Sequence, residues 1–252
     1  MIPTKPAATE GKGGIFRYVR AFRRDLLSAL PARLYRAWMA EFRSGPIHSF
    51  VCNDPDLVSL VLRERPKDFP KSSRLREGLA PLLGRSVFVT NGEEWQRQRR
   101  IIDPAFEGGR LREIFPQIWD ASLAAANRLP AEGEIDLEPI TSHAAADVIF
   151  RTLFSIPIED TTAAQVFSAF RAHQDAQPIV NAAALIPLPA WFPRFHSRRT
   201  KSTAAHIRGL IENLVDARAR AIAEGTAPDD LATKIMTTPD PETGQTFTPP
   251  EM

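Results

Sequence analysis

The chain has 252 residues, of which 43% are hydrophobic and 25% charged, so it is long and apolar enough to bury a sizeable core. Its formal net charge of +2, without long runs of like charge, argues against a general nucleic-acid binder. Cys52 is the only cysteine, which excludes an intramolecular disulfide. No apolar run reaches the roughly 18 residues that span a bilayer, and the N-terminus lacks a secretory signal pattern. We therefore expect a soluble, cytoplasmic protein without a transmembrane segment.

Basic side chains are concentrated near the N-terminus. Residues 1–45 hold nine basic and three acidic side chains. This excess is compatible with a membrane-surface role, but a solvated helix face is the simpler interpretation. Residues 1–14 are rich in Pro, Gly, Lys and Thr, and we predict that they are disordered.

The hydrophobic periodicity predicts a mainly α protein with small β elements. Predicted helices cover residues 15–30, 34–42, 55–65, 91–103, 111–129, 141–156, 161–175, 198–224 and 229–237. Predicted strands cover residues 47–52 and 134–137, and residues 87–89 are predicted to be a short extended or buried stretch. Residues 70–90 mix short apolar pieces with Pro and Gly, residues 178–193 are an apolar loop with four prolines, and residues 239–250 are rich in turns.

Residues typical of helix boundaries support several of these elements. Asp54 is predicted as an N-cap, with Pro55 in the first helical position and Pro66 as the end of that helix. Gly225 is a predicted helix stop. Thr248, followed by Pro-Pro-Glu, is typical of a helix start, and the chain ends directly after it. From this ending we expect a sequence that was cut short rather than finished.

The most distinctive local feature is the segment Trp95-Gln-Arg-Gln-Arg99. Trp95 and Arg99 are four residues apart and therefore share a helix face, which Ile102 and Phe106 would extend. An indole N–H beside a guanidinium offers only hydrogen-bond donors and suits a carboxylate or a phosphate. The alternative is an arginine stacked on a tryptophan at the surface, and spacing alone favours that alternative.

Other patterns of catalytic or metal-binding residues are not found. The five histidines lie at positions 48, 143, 173, 196 and 206, and none pairs with another histidine at metal-ligand spacing. The sequence has no nucleophile elbow, phosphate loop or dinucleotide fingerprint. Cys52 lies in an apolar predicted strand and is interpreted as a core thiol rather than a ligand.

Three segments together resemble the cytochrome P-450 family of haem-thiolate monooxygenases, in its bacterial form. Residues 50–58, with their continuation through residues 63–72, resemble the family's early strand and the helix after it. Residues 87–100 resemble the family's C-helix with its WxxxR motif, and residues 104–106, Pro-Ala-Phe, resemble its usual close. Later elements resemble the D to G region in their order, and residues 247–252 resemble the lead-in to the long I-helix.

The resemblance implies the N-terminal part of the P-450 fold, the region of helices A to H, with residues 15–252 as one incomplete domain. It also implies that Trp95 and Arg99 bind a haem propionate. The implied parent activity is haem-dependent monooxygenation of an apolar substrate, with O₂ and with electrons from a ferredoxin-type partner.

The resemblance further implies substrate contacts in the loop of residues 74–88, near residues 173–180 and near Phe195. The residues expected there are Leu83, Val87, Phe88, His173 and Gln177.

Two arginines of the predicted C-helix, Arg97 and Arg100, lie off the haem face. They could meet an acidic ferredoxin, although for each one singly a solvated charge is the simpler interpretation.

The chain departs from the family pattern in three ways. The acid–Thr pair of the I-helix, the ExxR pair and the haem-ligating cysteine in a Gly-rich loop are absent. A cysteine thiolate on the iron is what favours O–O cleavage in this family. We therefore expect a truncated monooxygenase that is inactive by itself and holds no haem securely. The alternative is a non-catalytic helical binding protein that reuses the fold.

Overall fold

The structure is a computed structural model that describes Arg20 and residues 32–44, 47–176, 198–248 and 251. The predicted helix at residues 15–30 and the apolar loop at residues 178–193 lie almost wholly outside these ranges. The chain divides into two compact units, Met1–Gly78 with Asp175–Ser197 and Leu79–Gln174 with Arg198–Met252. The sequence-based division into a disordered N-terminus and one domain stays a prediction.

The first unit contains a two-stranded antiparallel sheet. Strand β1 (Met39–Ser44) pairs with strand β2 (Ile47–Cys52), and the register places Met39 opposite Cys52. The prediction of β2 is confirmed. The prediction of a helix at residues 34–42 is wrong: a short 3₁₀ helix (Ala32–Tyr35) precedes β1. Backbone pairing with β2 outweighs the weak helical periodicity of such a short segment.

Helix α1 (Pro55–Ser59) follows β2 and begins as predicted. The Asp54 carboxylate accepts hydrogen bonds from the backbone N–H groups of Asp56 at 3.0 Å and Leu57 at 3.2 Å. These bonds satisfy amide groups that the first helical turn leaves without partners. A π-helical turn (Leu60–Glu64) and a 3₁₀ turn (Pro66–Asp68) continue the segment.

Residues 70–90 contain a helix that the sequence did not predict, α2 (Ser73–Leu83), with Pro81 inside it. Pro81 lies two residues before the end of the helix and lacks the N–H that would donate to the carbonyl four residues earlier, and Gly84 follows with a positive φ of 54°. The extended form predicted at residues 87–89 is wrong, although Val89 in this stretch is buried. The stretch is a turn, in which the amides of Val89 and Thr90 both donate to the Ser86 carbonyl.

The remaining helices of the described chain follow in order. They are α3 (Gly92–Ile102), α4 (Arg110–Glu113), α5 (Phe115–Ala126), α6 (Leu137–Phe154), α7 (Thr161–Ala176), α8 (Arg198–Ala223) and α9 (Leu231–Thr237). A 3₁₀ turn (Asp103–Phe106) follows α3. The predicted helices at residues 91–103, 141–156, 161–175, 198–224 and 229–237 are thereby confirmed.

Two predictions around α5 need correction. The single helix predicted at residues 111–129 is divided at Ile114, two residues before Pro116, because a proline lacks the N–H that a continuous helix requires. The strand predicted at residues 134–137 does not form. Instead, the Asp136 carboxylate accepts from the Glu138 amide at 3.1 Å and caps the start of α6.

Two apolar clusters hold the helices of the second unit together. The first joins α6, α7 and the loop between them through buried Phe150, Ile158, Ala163 and Val166, and Leu210 of α8 packs against it. The second consists of Ala105, Ile114 and Leu231, with Ile118, Leu153 and Ile235 packed around it. None of the helices in the described part of the chain is long and apolar enough to cross a membrane.

Candidate functional site

Helix α3 carries the residues that the sequence singled out. Glu93 and Glu94 lie in its first turn and Arg99 and Arg100 in its last turn, which matches the positive and negative ends of the helix dipole. The helix therefore has a local reason to form at this position. Its three faces have different surroundings.

One face of α3 is buried and forms hydrogen bonds with the residues just before the helix. Gln98 and Ile101 have no exposed surface. The Gln98 side-chain amide accepts a hydrogen bond from Thr90 Oγ1 at 2.7 Å and donates one to the Arg85 carbonyl at 2.7 Å. These two bonds fix the chain immediately before α3 against the helix, so the rotation of the helix about its axis is constrained from this side.

A second face carries Trp95 and Arg99, one helical turn apart. Trp95 is half-buried, and the Arg99 side chain is 46% exposed. One guanidinium nitrogen of Arg99 lies 2.7 Å from Oδ1 of Asp103. A guanidinium has five N–H donors, so this contact orients the group and leaves donor capacity for another anion.

The third face of α3, which we call the back face, carries Arg97 and Arg100. Nε of Arg100 donates to Oδ1 of Asp240 at 2.6 Å, and its Nη2 lies 3.1 Å from Oδ2 of Asp240. Nη2 also lies 3.0 Å from a carboxylate oxygen of Glu242. Arg97 forms an ion pair with Glu251. The interpretation of Arg97 and Arg100 as solvated charges is wrong, because their side chains are only 16% and 28% exposed and both are paired.

The carboxylates that pair with the back face are held in the charged form. Hydrogen bonding to the Arg100 guanidinium keeps the pKa of the Asp240 carboxyl well below its ordinary value, although burial opposes the shift. For Glu251, burial raises the pKa, but hydrogen bonds from Arg97 and Thr248 outweigh it and lower the pKa to about 2. Because these partners lie 140 and 154 residues from the arginines in sequence, local patterns could not have found them.

Thr248 and Glu251 form a short capped turn. The Glu251 carboxylate accepts from the Thr248 backbone N–H at 2.9 Å and from its hydroxyl at 2.7 Å. A glutamate that reaches back to the amide three residues earlier is one half of a capping box. This geometry agrees with the helix-start signal that the sequence shows at Thr248.

The residues expected to contact substrate have diverse surroundings. Leu83, the last residue of α2, and Val87 are half-buried, whereas Phe88 is 66% exposed in the turn before α3. His173 is buried on α7, where Nδ1 lies 2.7 Å from Oγ1 of Thr203 on α8, and burial lowers its pKa. Gln177 and the region near Phe195 lie outside the described residues. The substrate roles of all five therefore stay predictions.

An apolar groove between α6 and α7 was not predicted. Its volume is about 340 Å³, and it is lined mainly by Ile149, Phe150, Phe167 and Phe170. The helical periodicity of α6 and α7 shows their apolar faces, but only their mutual packing leaves this space open. Across the described ranges, no cluster of three or more His, Cys, Asp or Glu side chains is arranged to hold a metal ion.

Comparison with known proteins identifies the family. The family model described as Cytochrome P450 matches residues 35–252. A cyclooctat-9-en-7-ol 5-monooxygenase from Streptomyces melanosporofaciens is 28% identical over 223 residues, which is 88% of this chain and 46% of that protein. Cytochrome P450 72A15 from Arabidopsis thaliana is 28% identical over 79% of this chain and 38% of its own length.

A solved structure shows the same fold. The crystal structure of the cytochrome P450DA heme domain matches 95% of this chain and 50% of that chain, with a TM-score of 0.63 and 17% sequence identity. The chain thus spans half or less of the length of these relatives. The mainly helical architecture, the small sheet and the resemblance to the family are confirmed, and the chain belongs to the cytochrome P450 family.

Proposed function

We propose that this chain serves haem-dependent monooxygenation of an apolar organic substrate, and that Trp95 and Arg99 bind a haem propionate. The observation that carries the proposal is the face of α3 on which an indole and a partly exposed guanidinium lie one turn apart. Relatives in the same family include a cyclooctat-9-en-7-ol 5-monooxygenase and an echinocystic acid 23-monooxygenase.

The donor set suits the carboxylate edge of haem. A guanidinium binds a carboxylate in bidentate fashion, and an indole N–H adds a third donor without competing as an acceptor. Asp103 occupies one side of the Arg99 guanidinium at 2.7 Å and helps to fix its plane. When bound, haem supplies the oxygen chemistry, while the residues described here hold and orient its carboxylate.

The chain alone is proposed to be inactive. Its single cysteine, Cys52, lies half-buried in β2, and we do not assign it as the thiolate ligand. A ferredoxin-type electron donor and a cytoplasmic location are also part of the proposal. The family resemblance supports the ferredoxin-type donor. The presence of a single cysteine in the sequence is typical of a reducing compartment and supports the cytoplasmic location. The pairing of Arg97 and Arg100 with carboxylates argues that such a donor docks elsewhere.

A comparison of haem with haem dimethyl ester tests the propionate assignment, because the ester removes the carboxylates and leaves the macrocycle intact. The wild-type chain is expected to bind haem at least about tenfold more tightly than the ester, the effect of hydrogen bonds to a charged group. Arg99→Met is expected to remove most of this preference. Arg112, an exposed arginine on α4, provides the matched control Arg112→Met. An unchanged preference in Arg99→Met refutes the assignment.

A further inference from the structure

We infer that Arg97 and Arg100 are positioning residues for the propionate site: their ion pairs with residues 240–251 hold α3 in the rotation that presents Trp95 and Arg99 to the haem. This inference rests on the proposed function. It assigns a role to the back face of α3, whose two arginines touch neither haem nor substrate in the proposal.

Helix geometry places the two pairs of residues back to back. At about 100° per residue, the midpoint between Arg97 and Arg100 lies about 150° around the helix from the midpoint between Trp95 and Arg99. A small rotation of α3 that lengthens the back-face ion pairs therefore turns Trp95 and Arg99 by the same angle. Because an arginine extends far from the helix axis, such a rotation displaces its guanidinium more than its backbone.

The partners on the other side of these ion pairs are preorganised. Asp240 is almost fully buried, and its carboxylate also accepts from the Thr243 hydroxyl at 2.7 Å and the Thr243 amide at 3.2 Å. The Asp240 amide donates to the Gln245 carbonyl at 2.9 Å, and Gly244 continues the turn with a φ of 69°. The Arg100 guanidinium thus meets a carboxylate whose position the local turn already determines.

The Arg97 pair gives a second, independent point of attachment. The side chains of Arg97 and Glu251 are 16% and 11% exposed, so water screens their interaction only weakly. Arg97 also donates to the Thr246 carbonyl at 3.4 Å. Two attachment points three residues apart on one helix resist rotation in both directions, which a single ion pair would not do. The buried Gln98 contacts complete the restraint from a third side.

The test combines two measurements on the 252-residue chain. The first is the preference for haem over haem dimethyl ester, and the second is hydrogen–deuterium exchange of the α3 amides. The variants are Arg97→Met, Arg100→Met and the double substitution, with Arg100→Lys as the conservative variant and Arg112→Met as the control. A general loss of stability weakens the binding of both ligands and leaves their ratio unchanged, whereas misplacement of Arg99 lowers the ratio itself.

We expect the double variant to lose most of the haem preference, about a tenfold effect, and to exchange its α3 amides faster. Arg100→Lys is expected to retain most of the preference, because a lysine still pairs with Asp240 at one point. If the double variant does not fold, Arg100→Met carries the comparison alone.

The outcomes separate the inference from the proposed function. If Arg99→Met removes the preference while the back-face variants keep it, the positioning role is overturned and the propionate site stands. If Arg99→Met also keeps the preference, the proposed function fails and the inference fails with it.

Discussion

Replacement of Asp230 by alanine should destabilise the second unit more than most single substitutions, because its carboxylate joins three elements. Arg218 of α8 donates to it at 2.7 Å, and the side chains of this pair are only 9% and 4% exposed. Ser155, which ends α6, donates to it at 2.9 Å through Oγ. The carboxylate also caps α9 by accepting from the Thr233 amide at 2.9 Å. Arg218 in turn donates to the Phe154 carbonyl at 2.8 Å.

The expected loss follows from these contacts. Removing one partner of a buried ion pair leaves an unpaired charge and costs about 3–5 kcal/mol. The loss of the α9 cap adds up to about 1 kcal/mol. This cost is not fully additive with that of the broken ion pair, because the same carboxylate makes both contacts. We therefore expect the free energy of unfolding to fall by about 4 kcal/mol, equivalent to a decrease in Tm on the order of 10 °C for a chain of this size.

Urea denaturation followed by far-UV circular dichroism measures this change in the free energy of unfolding. Two further variants separate the contribution of the ion pair from that of the helix cap. Asp230→Asn keeps a capping oxygen but removes the charge, so it should lose most of the ion-pair contribution and retain the cap. Arg218→Met together with Asp230→Asn removes both charges and should be less destabilising than Asp230→Ala, because no buried charge is left alone. A change of less than about 1 kcal/mol in Asp230→Ala would refute the reasoning.

Three further outcomes are expected from other sites. Glu251 has a folded-state pKa of about 2 against an ordinary value of 4.5, so it stabilises the fold fully above pH 4.5 and loses this effect as the pH falls towards about 2. Urea midpoints across this range should show the loss in wild type, and Glu251→Gln should show a smaller dependence. Ser155 has a left-handed backbone with φ of 58°, so Ser155→Ala should cost about 1 kcal/mol for the lost hydroxyl bond, whereas Ser155→Gly should be nearly neutral because glycine relieves the backbone. A Ser155→Gly variant less stable than Ser155→Ala would contradict this explanation. Ile158 is 2% exposed and Ile149 is 56% exposed, so thermal melts should show a loss of about 2–4 kcal/mol for Ile158→Ala and under about 1 kcal/mol for Ile149→Ala. Equal losses for the two variants would show that the cluster around Ile158 is not the core of these helices.

The local part of the fold could be read from the sequence. Asp54 and Pro55 begin α1 as their types predict, and Gly225, with a φ of 70°, follows the end of α8. The spacing of Trp95 and Arg99 placed them on one face of a helix, and α3 includes both. Each of these features depends on residues within about four positions of one another, a range over which helix geometry alone determines which groups meet.

The sequence failed where the deciding partner was distant or where two local signals competed. Residues 39–44 form a strand because β2 pairs with them, and α2 continues through Pro81 although prolines and glycines divide its sequence. Secondary-structure propensities include the unfavourable free energy of each such residue, but they do not include the tertiary packing that compensates for it.

Hydrophobic periodicity by itself predicted the mainly helical class of this chain, and spacing placed Trp95 and Arg99 on one helix face. Only the tertiary structure decided that Arg97 and Arg100 are ion-paired rather than solvated, with acids 154 and 140 residues further along the chain. The physical reason is that an ion pair requires two charges within about 4 Å, and for residues so far apart in sequence only the folded chain brings them to that distance.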